Sequence, residues 1–307
     1  MALSRRDALK MYGLGSLSLV ASPSLFGFPK MQKVGTRIIP SSGEQLPIVG
    51  IGTWQTFDVG NSTHDLAVLK QVLNEIKKYG GSVIDSSPMY GSSEAVVGQL
   101  TNSPDFEKAF FYATKVWTSG KAAGIDQMND SFKKMQRTTM DLMQIHNLVD
   151  WQTHVKTLKA WKEEGKIRYW GLTHYVDSAH DRLEKIIRQE KPDFVQFNYS
   201  IRSRNAEKSL FETCQRNKTA TIINQPYESG SLFGLVKGKT LPEWCQAYDI
   251  NSWGQYFLKF ILSNKAVNCV IPGTSKPHHA IDNMGAGYGS LPDAKGRDRM
   301  FAHLKSL

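Results

Sequence analysis

The sequence predicts an α/β fold, a (β/α)8 TIM barrel with an N-terminal β-hairpin and additional C-terminal helices. Between residues 49 and 284, short apolar runs alternate eight times with amphipathic stretches, as is typical of parallel strands joined by right-handed crossovers. The length of 307 residues, of which 40% are hydrophobic, suits one barrel of about 250 residues with extensions. An open doubly wound sheet is the alternative, but no G-x-G-x-x-G sequence follows the first strand.

Local signals predict the individual elements in chain order. Two extended stretches, residues 37–39 and 46–51, flank Ser41-Ser42-Gly43-Glu44 and predict the hairpin. Short apolar runs predict the barrel strands over residues 49–53, 82–85, 110–115, 142–146, 167–173, 194–198, 219–224 and 268–271. Helical periodicity, with Ser62 or Thr63 as the first cap and Gly165 as a C-terminal stop, predicts helices over residues 62–79, 93–100, 124–136, 151–164, 178–189, 206–217, 242–248, 252–263, 277–284 and 293–306.

Residues 1–33 form a predicted leader, and residues 34–307 form the predicted barrel domain. Arg5 and Arg6 precede an uncharged, weakly apolar run over residues 11–28, and this pattern resembles a twin-arginine export signal. Gly, Ser and Pro interrupt the run too often for a stable membrane span. We therefore expect the twin-arginine translocon to recognise this leader and the protein to be periplasmic or otherwise exported. The alternative is a disordered tail on a cytoplasmic protein.

Charge and cysteine content exclude several classes of function. The net charge is +10, but the chain has no cluster of Lys and Arg with interleaved aromatic residues, which argues against nucleic-acid binding. The three cysteines, Cys214, Cys245 and Cys269, form neither a disulfide framework nor a metal-binding pattern. No metal is expected, and a bridge between Cys214 and Cys245 stays open.

Polar and titratable residues stand where successive predicted strands end. Asp85 ends the second strand, Lys115 the third and His146 the fourth, and Tyr90 follows Asp85 by five residues. Each of them alone is more often a solvated or hydrogen-bonded loop residue than a functional one. In a barrel, however, these strand ends converge on one mouth, where barrel enzymes have their active sites. The sequence therefore predicts that the four side chains form one site.

The chemistry of these four residues is coherent. A free tyrosine has a pKa of about 10, which is too high for an efficient acid near neutrality. An ammonium about 4 Å away is worth about 4 kcal/mol, or about three pKa units, so Lys115 is predicted to make Tyr90 a general acid. Asp85 would hold Lys115, and a neutral His146 would orient a substrate oxygen. A site that protonates an oxygen, without a nucleophile or a carboxylate pair, fits carbonyl reduction by a hydride.

Several motifs carry a family resemblance over residues 35–290. They are Gly50-Ile51-Gly52-Thr53-Trp54, Asp85-Ser86-Ser87-Pro88-Met89-Tyr90-Gly91, Thr114-Lys115, Gln144-Ile145-His146-Asn147, residues 165–171 and Ile271-Pro272-Gly273-Thr274-Ser275-Lys276. With them, the chain resembles the aldo-keto reductases. The resemblance implies a barrel, reduction of a small aldehyde or ketone with NADP(H), and Asp85, Tyr90, Lys115 and His146 as the catalytic tetrad. NAD(H) is the alternative cofactor.

The resemblance also implies where a dinucleotide would bind. The implied cofactor-binding residues are Thr53, Thr173, His174, Gln196, Asn224, Ser229, Leu232, Thr274, Ser275, Lys276, His279, Asp282 and Asn283. The loop before the helix at residue 277 offers free backbone N–H groups to a phosphate, and the charges of Lys276 and His279 favour NADP there. The chain departs from the pattern of the family at two places. Many members have an aromatic residue that stacks on the nicotinamide where this chain has Asn224, and the pair that binds the carboxamide is commonly Ser-Asn where this chain has Thr173-His174.

Trp54 and Trp117 follow the first and third strands, so we expect them to line the mouth and to favour apolar or aromatic substrates, with rim packing as the alternative. A different function stays open as well. A dinucleotide-binding redox sensor or scaffold with little turnover would agree with Asn224 and with an exported location. A barrel hydrolase or isomerase is a weaker third option, because it would not need this tetrad.

Overall fold

The computed structural model describes residues 33–81 and 83–307, which begin with a hairpin of two antiparallel strands, β1 (Thr36–Ile38) and β2 (Gln45–Pro47). Beyond the hairpin, strands and helices alternate as predicted. They are β3 (Ile51–Gly52), α1 (Thr63–Lys78), β4 (Val83–Asp85), α2 (Ser93–Thr101), α3 (Pro104–Glu107), β5 (Phe111–Val116), α4 (Lys121–Met135), β6 (Met140–His146), α5 (Trp151–Glu163), β7 (Ile167–Thr173), α6 (His180–Glu190), β8 (Phe194–Asn198), α7 (Leu210–Arg216), β9 (Ala220–Asn224), α8 (Ser231–Leu235), α9 (Trp253–Leu262), β10 (Cys269–Val270), α10 (Pro277–Gly285) and α11 (Ala294–Lys305).

Strands β3 to β10 form one parallel sheet in which each strand pairs with its neighbour in the chain. The two ends of this sheet also meet. Val49 forms a parallel bridge with Val270 and Gly52 forms one with Gly273, and the backbone N–H of Gly50 donates to the carbonyl oxygen of Val270 at 2.9 Å. The described residues therefore form a (β/α)8 barrel, which confirms the predicted fold class and rules out the open sheet.

The interior of the barrel is apolar at the end where the strands begin. Its side chains come from alternate residues of the strands: Val83, Phe111, Ala113, Leu142, Tyr169, Phe194, Ala220, Ile222, Cys269 and Ile271. Ile39 and Leu46, next to the hairpin strands, are fully buried in the same cluster, and Tyr169 donates a hydrogen bond to Ser42 at 2.7 Å. The hairpin thus closes this end of the barrel, and each large buried side chain stabilises the fold by about 1.5–3 kcal/mol.

Helix ends follow the predicted signals. Ser62 accepts a hydrogen bond from the backbone N–H of Asp65 and caps α1, one of the two predicted options. Ser252 and Asp293, where two further helices were predicted to begin, cap α9 and α11 in the same way. Gly165 follows α5 with a φ of 73°, the left-handed conformation expected of a C-terminal glycine.

The helix predicted over residues 206–217 is broken. A 3-10 helix covers Asn205–Glu207, and α7 begins only at Leu210, because Ser209 has an extended φ of −158°. Its hydroxyl donates a hydrogen bond to the buried carboxylate of Glu184 on α6. The Ser209 side chain is thus engaged with Glu184 and makes no capping hydrogen bond to α7.

Other elements differ in type or were not predicted. The segment Glu243–Tyr248 is a 3-10 helix, and α3 and α8 were not predicted. All three cysteines are buried free thiols, so the bridge between Cys214 and Cys245 that the sequence left open is not formed.

The predicted twin-arginine leader, residues 1–33, lies outside the described residues except for Lys33. Within residues 33–81 and 83–307, none of the helices has both the length and the apolar character needed to cross a membrane.

The backbones of α2 and α4 touch at Gly98. A Cβ atom at this position would lie 2.1 Å from the carbonyl oxygen of Lys134. We expect Gly98→Ala to lower the free energy of unfolding by about 1–3 kcal/mol, because overpacking outweighs the gain in helix propensity. The measurement is urea unfolding.

Gly234→Ala in α8 is the matched control, since its Cβ would meet nothing within 4 Å. An equal stability of Gly98→Ala and the parent protein would contradict the close contact.

Candidate active site

The four predicted catalytic residues lie together at the end of the barrel where the strands finish. The Nζ atom of Lys115 is 2.6 Å from Asp85 Oδ2 and 4.8 Å from the centroid of the Tyr90 ring. The rings of Tyr90 and His146 are 6.0 Å apart and nearly perpendicular. Asp85, Lys115 and His146 are all buried, so three neighbouring strands and one loop supply a compact polar cluster.

A cavity of about 890 Å³ opens above this cluster. Among the predicted site residues, it is lined by Thr53, Trp54, Asp85, Tyr90, Trp117, His146, Thr173, Gln196, Asn224 and Ser229. Both tryptophans line the mouth as expected and are 49% and 38% exposed. Sequence reasoning missed Met89, Asn147, Tyr175 and Phe233, which also line the cavity from loops and from α8.

The loop that carries Tyr90 is held by hydrogen bonds. The backbone N–H and hydroxyl of Ser92 both donate to Asp58 Oδ1 at 2.8 Å, and Gly60 N–H donates to the Ser92 hydroxyl at 2.9 Å. Gly91 has a φ of 57°, and a Cβ there would lie 2.2 Å from the Asp58 carboxylate. Glycine directly after Tyr90 is therefore required both by conformation and by space.

The pKa of Tyr90 differs from the sequence expectation. Burial raises the pKa of the phenol, the positive charge of Lys115 lowers it and the negative charge of Asp85 raises it, and the net direction is upward. Desolvation and the Asp85 carboxylate together outweigh the ammonium, so the lowering predicted from the sequence does not occur. For Lys115, burial lowers the pKa, but Asp85 and Tyr90 outweigh it, so the pKa is raised and the ammonium is retained.

His146 is neutral, as the sequence argument required. Burial, then the charges of Lys115 and His174, lower its pKa from 6.5 to about 3. Its Nδ1 lies 3.3 Å from the Ser87 hydroxyl. A neutral imidazole at this depth can form hydrogen bonds to an uncharged substrate without bringing a second positive charge next to Lys115.

A chain of side-chain amides continues from Asp85 across the barrel. Gln144 and Gln196 each donate an amide hydrogen to Asp85 Oδ1 at 2.9 Å. The Gln196 oxygen in turn accepts from Thr173 and Asn224, each at 3.2 Å. Gln144 belongs to a motif quoted from the sequence, but no role was predicted for it; it stands two residues before His146 and therefore points to the same side of its strand.

The predicted phosphate-site residues lie around the start of α10. Ser275, Lys276 and His279 are exposed, and Thr274 accepts a hydrogen bond from the Lys276 backbone at 3.1 Å. Burial and the neighbouring His278 and Lys276 lower the pKa of His279, so it carries less positive charge at neutral pH than the sequence argument assumed.

The remaining predicted residues already have protein partners or are buried in the core. Asp282 accepts hydrogen bonds from Ser252 at 2.6 Å and from Gln255 at 2.9 Å. Asn283 accepts one from Tyr227 at 2.6 Å. Leu232 is fully buried in the hydrophobic core.

His174 contributes its backbone to the site. Its N–H donates to the carbonyl oxygen of Gln196, and its carbonyl oxygen accepts from Asn224 at 3.1 Å.

The chain is similar to known proteins in sequence and in fold. The model of the aldo/keto reductase family matches residues 48–295. An uncharacterised oxidoreductase of Caenorhabditis elegans is 27% identical over 154 residues, and the methylglyoxal reductase DkgA of Escherichia coli (strain K12) is 27% identical over 150 residues. These matches cover 47% and 46% of this chain, and the chain spans about half the length of the two relatives, 46% and 50%.

Solved structures share the fold at low sequence identity. A crystal structure of an aldo/keto reductase from Klebsiella pneumoniae in complex with NADP and acetate has a TM-score of 0.71 and 21% identity, and the match covers 89% of this chain and 95% of that chain. The holo form of an aldo-keto reductase from Bacillus halodurans has a TM-score of 0.70 and 19% identity, with 88% and 96% covered.

The low pKa of His146 predicts acid sensitivity. Below about pH 6.5 an unfolded chain takes up a proton on this histidine, whereas the folded protein does so only near pH 3. Acidification therefore favours unfolding, and we expect His146→Gln to lose about 3 kcal/mol less stability than the parent between pH 6.5 and pH 4. The measurement is urea unfolding at both pH values.

The matched control is His64→Gln on the exposed side of α1, which should lose as much stability as the parent protein. Equal losses in all three proteins would show that His146 is not held neutral by the fold.

Proposed function

Because the chain belongs to the aldo/keto reductase family, we propose that it reduces the carbonyl group of a small aldehyde or ketone to an alcohol, with NADPH as the hydride donor. The observation that carries the proposal is the cluster of the half-buried Tyr90 with the buried Lys115, Asp85 and His146 at the floor of the 890 Å³ cavity. The cluster holds one proton donor, one fixed cation and one neutral hydrogen-bonding group.

Each residue of the cluster has a separate task in the proposed reaction. The phenol of Tyr90 is protonated at neutral pH and can donate its proton to the substrate oxygen, although its raised pKa makes it a weaker acid than a free tyrosine. Lys115 stabilises the phenolate left behind, because its ammonium lies 4.8 Å from the ring. Asp85 fixes Lys115, and the neutral His146 orients the carbonyl oxygen.

The residues at the cavity wall fit a nicotinamide dinucleotide. The Oδ1 atom of Asn224 is buried and has no hydrogen-bond partner among the described residues, so it can accept from a carboxamide N–H. The N-terminus of α10, with Lys276 before it, suits a phosphate group. When bound, the cofactor supplies the hydride. Lys276 favours NADP over NAD, while the lowered pKa of His279 reduces that preference.

The relatives support a carbonyl substrate and this cofactor. One of them is named a methylglyoxal reductase, and one of the similar structures contains NADP. Trp54, Trp117 and Tyr175 give the mouth of the cavity an aromatic wall, which favours an apolar or aromatic group next to the carbonyl.

One observation favours a second candidate, a dinucleotide-binding sensor or scaffold with little turnover. The polar atoms of Gln196 are already used, since its amide nitrogen donates to Asp85 and Gln144 and its oxygen accepts from Thr173 and Asn224. Gln196 would therefore have fewer free hydrogen-bonding atoms with which to orient a bound nicotinamide.

We expect Tyr90→Phe to lower turnover about 100-fold or more, because the proton donor is lost, while NADPH affinity stays within about threefold. The measurements are the decrease in NADPH absorbance with a panel of small aldehydes, and NADPH binding by fluorescence titration. Tyr79→Phe is the control, since Tyr79 lies at the end of α1 and packs against Tyr288.

Unchanged turnover in Tyr90→Phe would contradict the role of this residue. Saturable NADPH binding without turnover of any aldehyde by the parent protein would support the sensor instead.

We also propose that residues 1–33 export the protein by the twin-arginine route, as the pair Arg5-Arg6 before a weakly apolar run suggests. A reporter fused after residue 33 should reach the periplasm, and the double substitution of Arg5→Lys and Arg6→Lys should keep it in the cytoplasm. Export of the reporter in a strain without the twin-arginine translocon would contradict this route.

A further inference from the structure

Both oxygens of the Asp85 carboxylate have hydrogen-bond donors, and the donors differ. Oδ2 faces the Lys115 ammonium at 2.6 Å, whereas Oδ1 accepts from the amides of Gln144 and Gln196 at 2.9 Å each. The two amides also contact each other, because Gln196 Nε2 lies 3.2 Å from Gln144 Oε1. Asp85 is therefore fixed from two sides, by one charged group and by one pair of neutral groups.

The two amides meet because the strand between them has no side chain at that level. Gln144 belongs to β6 and Gln196 to β8, and Gly171 of β7 is the register partner of Gln144. A Cβ atom at Gly171 would lie 3.4 Å from Gln144 Cγ and 2.8 Å from the carbonyl oxygen of Phe194. Glycine at this position leaves the room through which Gln144 reaches across β7 to Gln196.

Gln144 has no access to a ligand. Its side chain is fully buried and, unlike Gln196, it does not line the cavity. Any effect of Gln144 on a reaction must therefore pass through Asp85 or Gln196. This separates Gln144 from Gln196, whose replacement would change the cavity wall itself.

We propose that Gln144 is a positioning residue of the reaction: through the gap at Gly171 it pairs with Gln196, and together the two amides hold Asp85 so that the Lys115 ammonium acts on Tyr90. The inference rests on the proposed carbonyl reduction and deepens it. Two amide dipoles directed at Oδ1 offset part of the carboxylate charge. The Asp85 carboxylate then cancels less of the electrostatic effect that the Lys115 ammonium has on the Tyr90 phenol.

Other titratable groups surround this cluster, and none replaces Gln144 as a donor to Asp85. They are His146 on β6, His174 after β7, Cys269 on β10 and Glu94 on α2. His146 is neutral at working pH, and burial raises the pKa of both the Cys269 thiol and the Glu94 carboxyl. The field at Tyr90 is therefore set mainly by Lys115 and Asp85.

Gln144→Met tests the proposal, since methionine keeps the volume and removes the amide. We expect kcat to fall about 10-fold, as for the loss of a hydrogen bond to a charged group, with KM and the Kd of NADPH within about twofold. The stronger field of Asp85 at Tyr90 should raise the pKa of the phenol. The basic limb of the pH profile of kcat should therefore move upward by about half a pH unit.

A second readout does not depend on turnover. With 13Cζ-labelled tyrosine, the Tyr90 resonance is identified by its loss in Tyr90→Phe, and it should titrate at a higher pH in Gln144→Met than in the parent. Leu142→Met is the control, because Leu142 lies two residues earlier on the same inner face and belongs to the apolar cluster. It should leave kcat and the titration unchanged.

Gln144→Glu serves if the methionine variant does not fold. The introduced carboxyl can donate to Asp85 only when it holds a proton, so the activity of this variant relative to the parent should rise several-fold from pH 8 to pH 6.

Equal kcat and an unmoved titration in Gln144→Met, or a flat activity ratio in Gln144→Glu, would overturn the role of Gln144. A parent protein that turns over no carbonyl compound would instead overturn the proposed function.

Discussion

The site depends on one buried ion pair, Lys115 with Asp85, whose side chains are 0% and 3% exposed. Burying two charges costs several kcal/mol each, and such a pair returns this only when the remaining donors and acceptors are satisfied. Here they are satisfied: Lys115 also donates to the carbonyl oxygen of Ser86 at 2.7 Å, and Asp85 receives two amide hydrogens. The pair therefore contributes a fixed geometry more than it contributes stability.

The barrel can carry this pair because its interior has two layers. Residues such as Phe111 and Leu142 fill the lower layer and stabilise the fold, while residues further along the same strands, such as Lys115 and Gln144, are polar. Every second residue of a strand points into the barrel, so the apolar and the polar residues of one strand both lie on its inner face. The residues that stabilise the fold and the residues that form the site thus occupy different positions along each strand.

The sequence predicted the polar layer to a large extent, because Asp85, Lys115 and His146 are titratable residues that end apolar runs. It could not predict what Gln144 does, since an amide inside a strand gives no sign of its hydrogen-bond partners until the neighbouring strands are in place. The direction of the Tyr90 pKa was also wrong, because the extent of burial is not visible in a sequence. The loop after β9 adopts positive φ angles at Gln225, Glu228 and Ser229, and none of these three positions is a glycine.

The burial of the three cysteine thiols limits their reaction with oxidants. Cys214, Cys245 and Cys269 are at most 1% exposed, and burial raises the pKa of each, so almost no reactive thiolate is presented to an oxidant. None of the three is joined to another by a disulfide. A change from reducing to oxidising surroundings therefore finds no exposed thiol at these three positions.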